Sequence, residues 1–168
     1  MPTALITGAS TGIGRATARH LKDLGFTVYA GFRAAADGEA LAAEGLTPVP
    51  LDVTDPAQIA AATAQLPRLD ALVNNAGINL GGPIECVPLD SLRRVLEVNL
   101  VGAIAVTQAA LPALRAAQGR IVFVSSVGGR LAFPLVGPYN ASKFGLEAAA
   151  DALRRELRPE GLRVCVIE

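Results

Sequence analysis

The sequence predicts an α/β protein built on one doubly wound sheet of parallel strands, with helices on both faces. Short apolar runs of strand length alternate along the whole chain with segments in which apolar residues return at helical spacing. Several of the short runs lack the alternation of a strand with one wet face, as expected when helices cover a parallel sheet on both sides. Two of the helical segments end at a glycine, Gly25 and Gly45, a common helix terminator.

Six strands and five helices are predicted in alternating order. The predicted strands are Ala4–Thr7, Thr27–Phe32, Pro48–Leu51, Ala71–Val73, Ile121–Val124 and Arg163–Ile167. The predicted helices are Ile13–Leu24, Ala36–Ala43, Pro56–Ala64, Leu92–Ala117 and Tyr139–Leu157. Asp55 followed by Pro56 marks a helix start, because it combines a capping side chain with proline at the first helical position. Right-handed crossovers turn this order into an open sheet that binds ligands at the carboxyl ends of its strands.

Length and composition favour one domain over residues 1–168 and narrow the choice of partners. Hydrophobic residues make up 51% of the chain and the formal net charge is zero, which argues against disorder and against nucleic-acid or anionic-membrane partners. Cys86 and Cys165 are far apart and His20 is the single histidine, so neither a disulfide framework nor a metal site is indicated. His20 is predicted to lie on a helix surface. No signal-peptide pattern or transmembrane run is visible, so we expect a cytoplasmic protein.

A glycine-rich turn joins the first predicted strand to the first predicted helix. It reads Thr7-Gly8-Ala9-Ser10-Thr11-Gly12-Ile13-Gly14. A turn of this kind brings backbone N–H groups and the positive end of the helix dipole to one point, where a pyrophosphate can bind. The turn therefore predicts a dinucleotide-binding, Rossmann-like domain.

The residue type at the end of the second strand indicates whether NAD(H) or NADP(H) is bound. In dinucleotide-binding folds an acidic residue roughly 20 positions after the glycines holds the adenosine ribose 2′-hydroxyl. Arg33 stands at that place, and a guanidinium can bind a 2′-phosphate where a carboxylate would repel it. NADP(H) is therefore favoured over NAD(H). The alternative is that Arg33 is a solvated loop cation and that Asp37 or Glu39 lies nearer the ribose.

Further motifs follow in order along the chain. They are Asp52-Val53 after the third strand, Asn74-Asn75-Ala76-Gly77 after the fourth, Asn99 in the long helix, Ser125-Ser126 after the fifth strand, and Tyr139-Asn140-Ala141-Ser142-Lys143. Together with the glycine turn they resemble the short-chain dehydrogenase/reductase family, in its smaller-subunit branch. The segments Val28–Gly31, Gly119–Val122 and Leu153–Glu156 are similar to its retinol- and steroid-dehydrogenase-like group.

The resemblance implies reversible hydride transfer between NADP(H) or NAD(H) and a secondary alcohol or carbonyl substrate, with four catalytic residues. Tyr139 and Lys143 are four positions apart, so a helix presents both on one face. A free phenol has a pKa of about 10, and a nearby ammonium group favours the phenolate. Ser126 would hydrogen-bond the substrate oxygen, while Ser125 would point elsewhere. Asn99 would hold a water that connects Lys143 to solvent.

The resemblance also implies a set of cofactor-binding residues. The phosphate-binding turn would comprise Gly8, Ser10, Gly12, Ile13 and Gly14. Asp52 and Val53 would contact the adenine, and Asn75, Ala76 and Gly77 would line the two riboses. Tyr139 and Lys143 would contact the nicotinamide ribose, and no metal is required. For Asn74 and Asn75 a bracing role within the sheet is the alternative to ligand binding.

The resemblance implies more chain than the sequence contains. Family members continue after the sixth strand with a substrate loop and a final strand, so we expect a C-terminally incomplete domain whose sixth strand is an exposed edge. Two other functions stay open: a dinucleotide-binding or dimerising module without turnover, and a nucleotide-sugar epimerase or dehydratase, which shares Tyr-x-x-x-Lys. The helices Leu92–Ala117 and Tyr139–Leu157 resemble the family's dimerisation helices, which predicts a homodimer or homotetramer.

Overall fold

The structure, a computed structural model, describes residues 1–168 and contains one six-stranded parallel sheet. Its strands are β1 (Thr3–Ile6), β2 (Thr27–Phe32), β3 (Thr47–Pro50), β4 (Ala71–Asn74), β5 (Arg120–Val124) and β6 (Arg163–Ile167). They lie in the order β3-β2-β1-β4-β5-β6, with β6 at one edge. The order reverses beside β1, which pairs with β2 on one side and β4 on the other. The predicted fold class and six strands are confirmed.

Six α-helices connect the strands. They are α1 (Gly12–Asp23), α2 (Ala35–Ala43), α3 (Pro56–Ala64), α4 (Leu89–Leu96), α5 (Ala103–Ala117) and α6 (Gly137–Leu157). The main hydrophobic cluster joins α3, α5 and α6 to one face of the sheet, while a smaller cluster joins α1 and α2 to the other. Asp55 caps α3 as predicted, because its carboxylate accepts hydrogen bonds from the Ala57 and Gln58 N–H groups. Gly25 and Gly45 follow α1 and α2 with positive φ, as the termination signals predict.

The long helix predicted over Leu92–Ala117 differs from the observed segment in start and in regularity. Helical structure begins at Leu89, and a π-helical turn over Glu97–Gly102 separates α4 from α5. A π-helical turn adds a residue between hydrogen-bonded partners and frequently occurs at functional sites. Asn99 lies within it, so its side chain is aimed by the π-helical turn rather than by a regular helix.

The helices cover the two faces of the sheet unequally. On β5, Ile121 and Phe123 are fully buried against the α5 and α6 side, whereas Val122 and Val124, on the α1 side, are only partly buried. On β6, Val164 is buried while Cys165 is exposed. Helices therefore lie on both faces as predicted, but α1 and α2 leave β5 and β6 on their face less covered.

The continuous helical segment Leu89–Ala117 has the length and hydropathy of a membrane span, contrary to the expectation that no such run exists. Its most apolar 18-residue window has a mean hydropathy of 1.5. Helices buried in a protein core pass the same test, and Val98, Val106, Ala110 and Leu114 of this segment lie in the main hydrophobic cluster. Its apolar character therefore has a structural explanation in packing against the sheet.

Candidate active site

The glycine turn lies between the end of β1 and the start of α1, at the carboxyl edge of the sheet. Gly8 and Gly12 have φ values of +64° and +54°, which side chains with a Cβ rarely adopt. A Cβ on Gly14 would collide with the Gly8 carbonyl oxygen and lie 2.5 Å from Asn75 Nδ2. The turn thus needs glycine at two positions for its backbone conformation and at a third for close packing of α1.

Hydrogen bonds from the end of β4 hold this turn in place. Asn75 Nδ2 donates to the Thr7 and Gly8 carbonyl oxygens at 3.0 Å each. The buried Thr7 hydroxyl oxygen accepts from the N–H groups of Asn75 and Ala76, also at 3.0 Å. Asn74 Nδ2 donates to Thr107 Oγ1 on α5 at 2.9 Å. Both asparagine side chains therefore form hydrogen bonds that brace the sheet, and Asn75 also lines a cavity beside the turn, so bracing does not exclude ligand binding.

A cavity of about 280 Å³ opens beside the turn. It gathers four segments that the sequence separates: the glycine turn, the end of β2, the end of β3 and the end of β4. The predicted cofactor-binding residues that line it are Gly8, Ser10, Gly12, Ile13, Arg33, Asp52, Val53, Asn75, Ala76 and Gly77. Gly14, Tyr139 and Lys143 do not line it. Gly14 lies behind the cavity wall, where it allows α1 to approach Asn75.

Two parts of this cavity suit an anionic ligand, namely the start of α1 and the exposed side chain of Arg33. The first turn of α1 contains no acidic residue, so the positive end of its dipole is not neutralised. Arg33 is exposed at the cavity wall and forms no ion pair, whereas Asp37 and Glu39 lie on α2 outside the lining.

Asp52 adds a negative charge to the same cavity. Burial alone would raise the pKa of Asp52, but hydrogen bonds from Thr54 and the charges of Arg33 and Arg94 lower it overall. Asp52 is therefore a carboxylate at neutral pH.

Tyr139 and Ser126 lie together at one end of a larger groove of about 910 Å³. A Cβ on Gly128 would lie 3.3 Å from Tyr139 Cε1 and 3.5 Å from Ser126 Oγ, so the absence of a side chain there brings the two residues close. Ser126 Oγ accepts a hydrogen bond from the Gly128 N–H at 3.1 Å. Both residues are partly exposed, and the groove continues over Val122 and Val124 of β5.

Lys143 lies beneath Tyr139 on α6. Its Nζ is 5.6 Å from the centre of the Tyr139 ring and donates to the Val124 carbonyl oxygen at 2.7 Å. The side chain is buried, and burial lowers the pKa of Lys143 to about 8, opposed by the negative charge of Glu147. At neutral pH the ammonium form still predominates, so a positive charge lies next to the phenol ring.

Asn99 links the end of β4 to α6. Its Oδ1 accepts from the Ile78 N–H at 2.8 Å, and its Nδ2 donates to the Ile78 carbonyl oxygen at 2.9 Å and to Ser142 Oγ at 3.0 Å. Ser142 Oγ in turn donates to the Tyr139 carbonyl oxygen at 2.7 Å. Asn99 is thus connected to the backbone of Tyr139 through one side chain.

Two residues of this site, Thr7 and Ser142, have no predicted role in the sequence. Both are buried and form the hydrogen bonds just described. Their types are common on protein surfaces, so only their position beside Gly8 and Lys143 in the sequence could have drawn attention to them. His20 lies exposed on α1, as predicted.

Comparison with known proteins agrees with this geometry. Residues 2–168 match the short chain dehydrogenase family, and the chain belongs to it. It is 41% identical over 173 residues to retinol dehydrogenase 5 of Mus musculus, covering 97% of this chain and 54% of that protein. It is 37% identical over 179 residues to the mitochondrial D-beta-hydroxybutyrate dehydrogenase of Mus musculus, covering 98% and 52%. The predicted family is confirmed.

A solved structure extends the comparison to the fold. The crystal structure of a short-chain dehydrogenase from Streptomyces avermitilis is 35% identical and superposes with a TM-score of 0.93, covering 99% of this chain and 64% of that one. The similarity to 17-beta-hydroxysteroid dehydrogenase type 6 of Bos taurus, at 43% identity, also supports the predicted likeness to retinol and steroid dehydrogenases. The chain spans about half the length of the curated dehydrogenases named above.

Proposed function

We propose that this protein is an oxidoreductase that transfers hydride between NADP(H) or NAD(H) and a secondary alcohol or carbonyl substrate. The observation that carries the proposal is the grouping of Tyr139, Ser126 and Lys143 at the carboxyl edge of the sheet, two strands from the glycine turn. Membership of the short chain dehydrogenase family supports the same reaction class.

The cavity beside the glycine turn fits the dinucleotide. The free N–H groups at the start of α1 suit its pyrophosphate, and the lack of side chains at Gly8 and Gly12 allows close approach. Asp52 and Val53 would hold the adenine, and Asn75, Ala76 and Gly77 would line the riboses, with Tyr139 and Lys143 at the nicotinamide end. The cofactor would supply or accept the hydride at its nicotinamide ring.

The chain's own residues would transfer the proton to or from the substrate oxygen. In reduction the Tyr139 hydroxyl donates a proton to the developing alkoxide, and the Ser126 hydroxyl donates a hydrogen bond to the same oxygen. In oxidation the Tyr139 phenolate removes the alcohol proton. The Lys143 ammonium group favours that phenolate, and Asn99 fixes the start of α6 through Ser142.

NADP(H) is the preferred cofactor in this proposal. Arg33 supports it, because an exposed guanidinium without an ion pair lines the cavity at the end of β2. Three further points stay predictions. They are a homodimer or homotetramer through α5 and α6, a cytoplasmic location, and a single, C-terminally incomplete domain over residues 1–168. A dinucleotide-binding module without turnover is the second candidate, because the cavity beside the glycine turn is lined by predicted dinucleotide-binding residues but not by Tyr139 or Lys143.

A turnover assay of two matched variants tests the proposal. The chain has two tyrosines, Tyr29 and Tyr139. With a panel of secondary alcohols and NADP+, Tyr139→Phe should lower the rate of nicotinamide reduction about 100-fold or more, because the proton acceptor is lost. Tyr29→Phe, on β2, should behave like the wild type.

Two outcomes contradict the proposal. Substantial turnover by Tyr139→Phe would exclude the phenol as the proton-transferring group. Saturable NADP+ binding by the wild type with no turnover of any alcohol or ketone would favour the module without turnover.

A further inference from the structure

Glu147 is a partly buried acid that the proposed reaction does not use. It lies on α6 one helical turn after Lys143, so the two side chains are neighbours on the same helix face. Its Oε1 is inaccessible to solvent and has no hydrogen-bond partner. A buried carboxylate oxygen without a partner is costly, so a compensating charge is expected nearby.

The two arginines nearest Glu147 have other acidic partners. Arg130, after β5, pairs with Glu168 and is influenced less strongly by the charge of Glu147, and Arg154, on α6, pairs with Asp151. On the neighbouring helical segment, Arg93, Arg94 and Glu97 are exposed to solvent. Cys165 of β6 is exposed as well. Lys143 is the buried cation of this part of α6, and it has no acidic partner in hydrogen-bond contact.

Lys143 is a buried cation whose ammonium group has too few hydrogen-bond partners. It is 4% exposed and its ammonium group donates one hydrogen bond, to the neutral Val124 carbonyl. An ammonium group has three donors, so a single neutral acceptor compensates only part of the lost hydration. Glu147 opposes the effect of burial on Lys143. A buried ammonium group with one neutral acceptor and a carboxylate with one inaccessible, unpartnered oxygen therefore lie one turn apart.

Gly129 provides the space for this arrangement. A Cβ there would lie 3.1 Å from Glu147 Cγ, 3.3 Å from Glu147 Oε1 and 2.8 Å from Ser125 Oγ. Ser125 Oγ is buried and has no partner either, so two polar atoms converge beside Gly129. The lack of a side chain at Gly129 therefore leaves room for the Glu147 carboxylate beside the turn after β5.

We propose that Glu147 is a positioning residue that keeps Lys143 in its charged ammonium form, so that the charge remains available to the Tyr139 phenolate. This inference rests on the proposed function for its purpose, but its physical content concerns only Lys143 and Glu147. Removing the Glu147 charge should leave burial unopposed and convert Lys143 towards the neutral amine at neutral pH.

A nuclear magnetic resonance titration of lysine labelled with carbon-13 at its ε position tests this directly. The chain has two lysines, Lys22 and Lys143, so each variant gives two signals and Lys22 is an internal reference. Glu147→Gln should weaken the proton affinity of Lys143 about tenfold, equal to a pKa lower by about one unit. Glu156→Gln, a matched change at an exposed site on α6, should leave it unchanged.

Further variants keep the test decisive. Glu147→Met fills the same space without a charge, and it should lower the pKa of Lys143 even if the glutamine variant does not fold. Glu147→Asp should restore part of the lost proton affinity, which a purely structural role would not require. An unchanged Lys143 titration in either uncharged variant would overturn the inference while leaving the proposed function standing. Turnover by Tyr139→Phe would contradict the proposed function, whereas the comparison of Lys143 titrations between the wild type and the Glu147 variants would stand.

Discussion

Single residues show how far the sequence predicts the site. Asn99 and Lys143 were predicted because they occur in a recognisable pattern, and both are buried in the structure. Ser142 and Glu147 could not be predicted in the same way, because serine and glutamate are usually exposed and nothing local marks these two as inward-facing. Their importance comes from contacts across the fold, with Asn99 and with the turn at Gly129.

The proposed preference for NADP(H) over NAD(H) depends on Arg33. A charge-assisted hydrogen bond contributes roughly 1.5–3 kcal/mol, so Arg33→Ala should weaken NADPH binding about tenfold or more and leave NADH binding nearly unchanged. Fluorescence titration with both cofactors measures the ratio. Arg94→Ala is the control, because Arg94 also acts on Asp52 but lies outside the cavity lining. Equal affinity of the wild type for the two cofactors would refute the preference.

Among the secondary-structure elements, α1 and the end of α2 are joined by one acidic residue. Glu44 accepts hydrogen bonds from Arg19 at 2.6 Å and from Arg15 Nε at 2.9 Å, and its carbonyl oxygen accepts from Lys22 at 2.7 Å. The hydrogen bonds from Arg19 and then Arg15 lower the pKa of Glu44 to about 2. Helix α1, which follows the glycine turn, and the end of α2 are therefore coupled through a charge that acid can remove.

The pH dependence of stability tests this coupling. Because the Glu44 pKa is depressed in the folded state, its contribution is complete above the ordinary value of 4.5 and is lost as the pH falls towards 2. Glu44→Gln should lower the Tm slightly at pH 7, because solvent screens the exposed ion pairs, and the difference from the wild type should shrink as the pH falls through about 2. Glu39→Gln, at an exposed position on α2 without an ion pair, should change little. A difference that is independent of pH would contradict the assignment.

The apolar spacing of the sequence predicts where helices and strands lie, but it does not predict irregular turns within a helix. Strand and helix boundaries follow apolar runs and termination signals, and they agree with the structure within a few residues. The π-helical turn at Glu97–Gly102 leaves no such signal, because one extra residue barely alters the apolar pattern of a long helix. Its consequence is large nonetheless, since it aims Asn99 at Ile78 and Ser142.

For the whole molecule, the apolar pattern of a strand does not indicate which helices cover it. Residues 121–124 of β5 are apolar throughout, which is typical of a strand buried on both sides. In the structure, α1 and α2 pack over β1, β2 and Val73 of β4, while Val122 and Val124 of β5 are only partly buried. The groove beside these two valines ends at Ser126 and Tyr139, which joins this surface to the candidate active site.

The most direct test of the whole account is a map of where NADPH binds. In a titration of the nitrogen-15-labelled chain with NADPH, amide signals should shift at the glycine turn, at Arg33, at Asp52 and Val53, and at Asn75–Gly77. These four segments meet only in the cavity at the carboxyl edge of the sheet. Shifts confined to other surfaces, or no saturable shift, would contradict the claim that this cavity holds the dinucleotide.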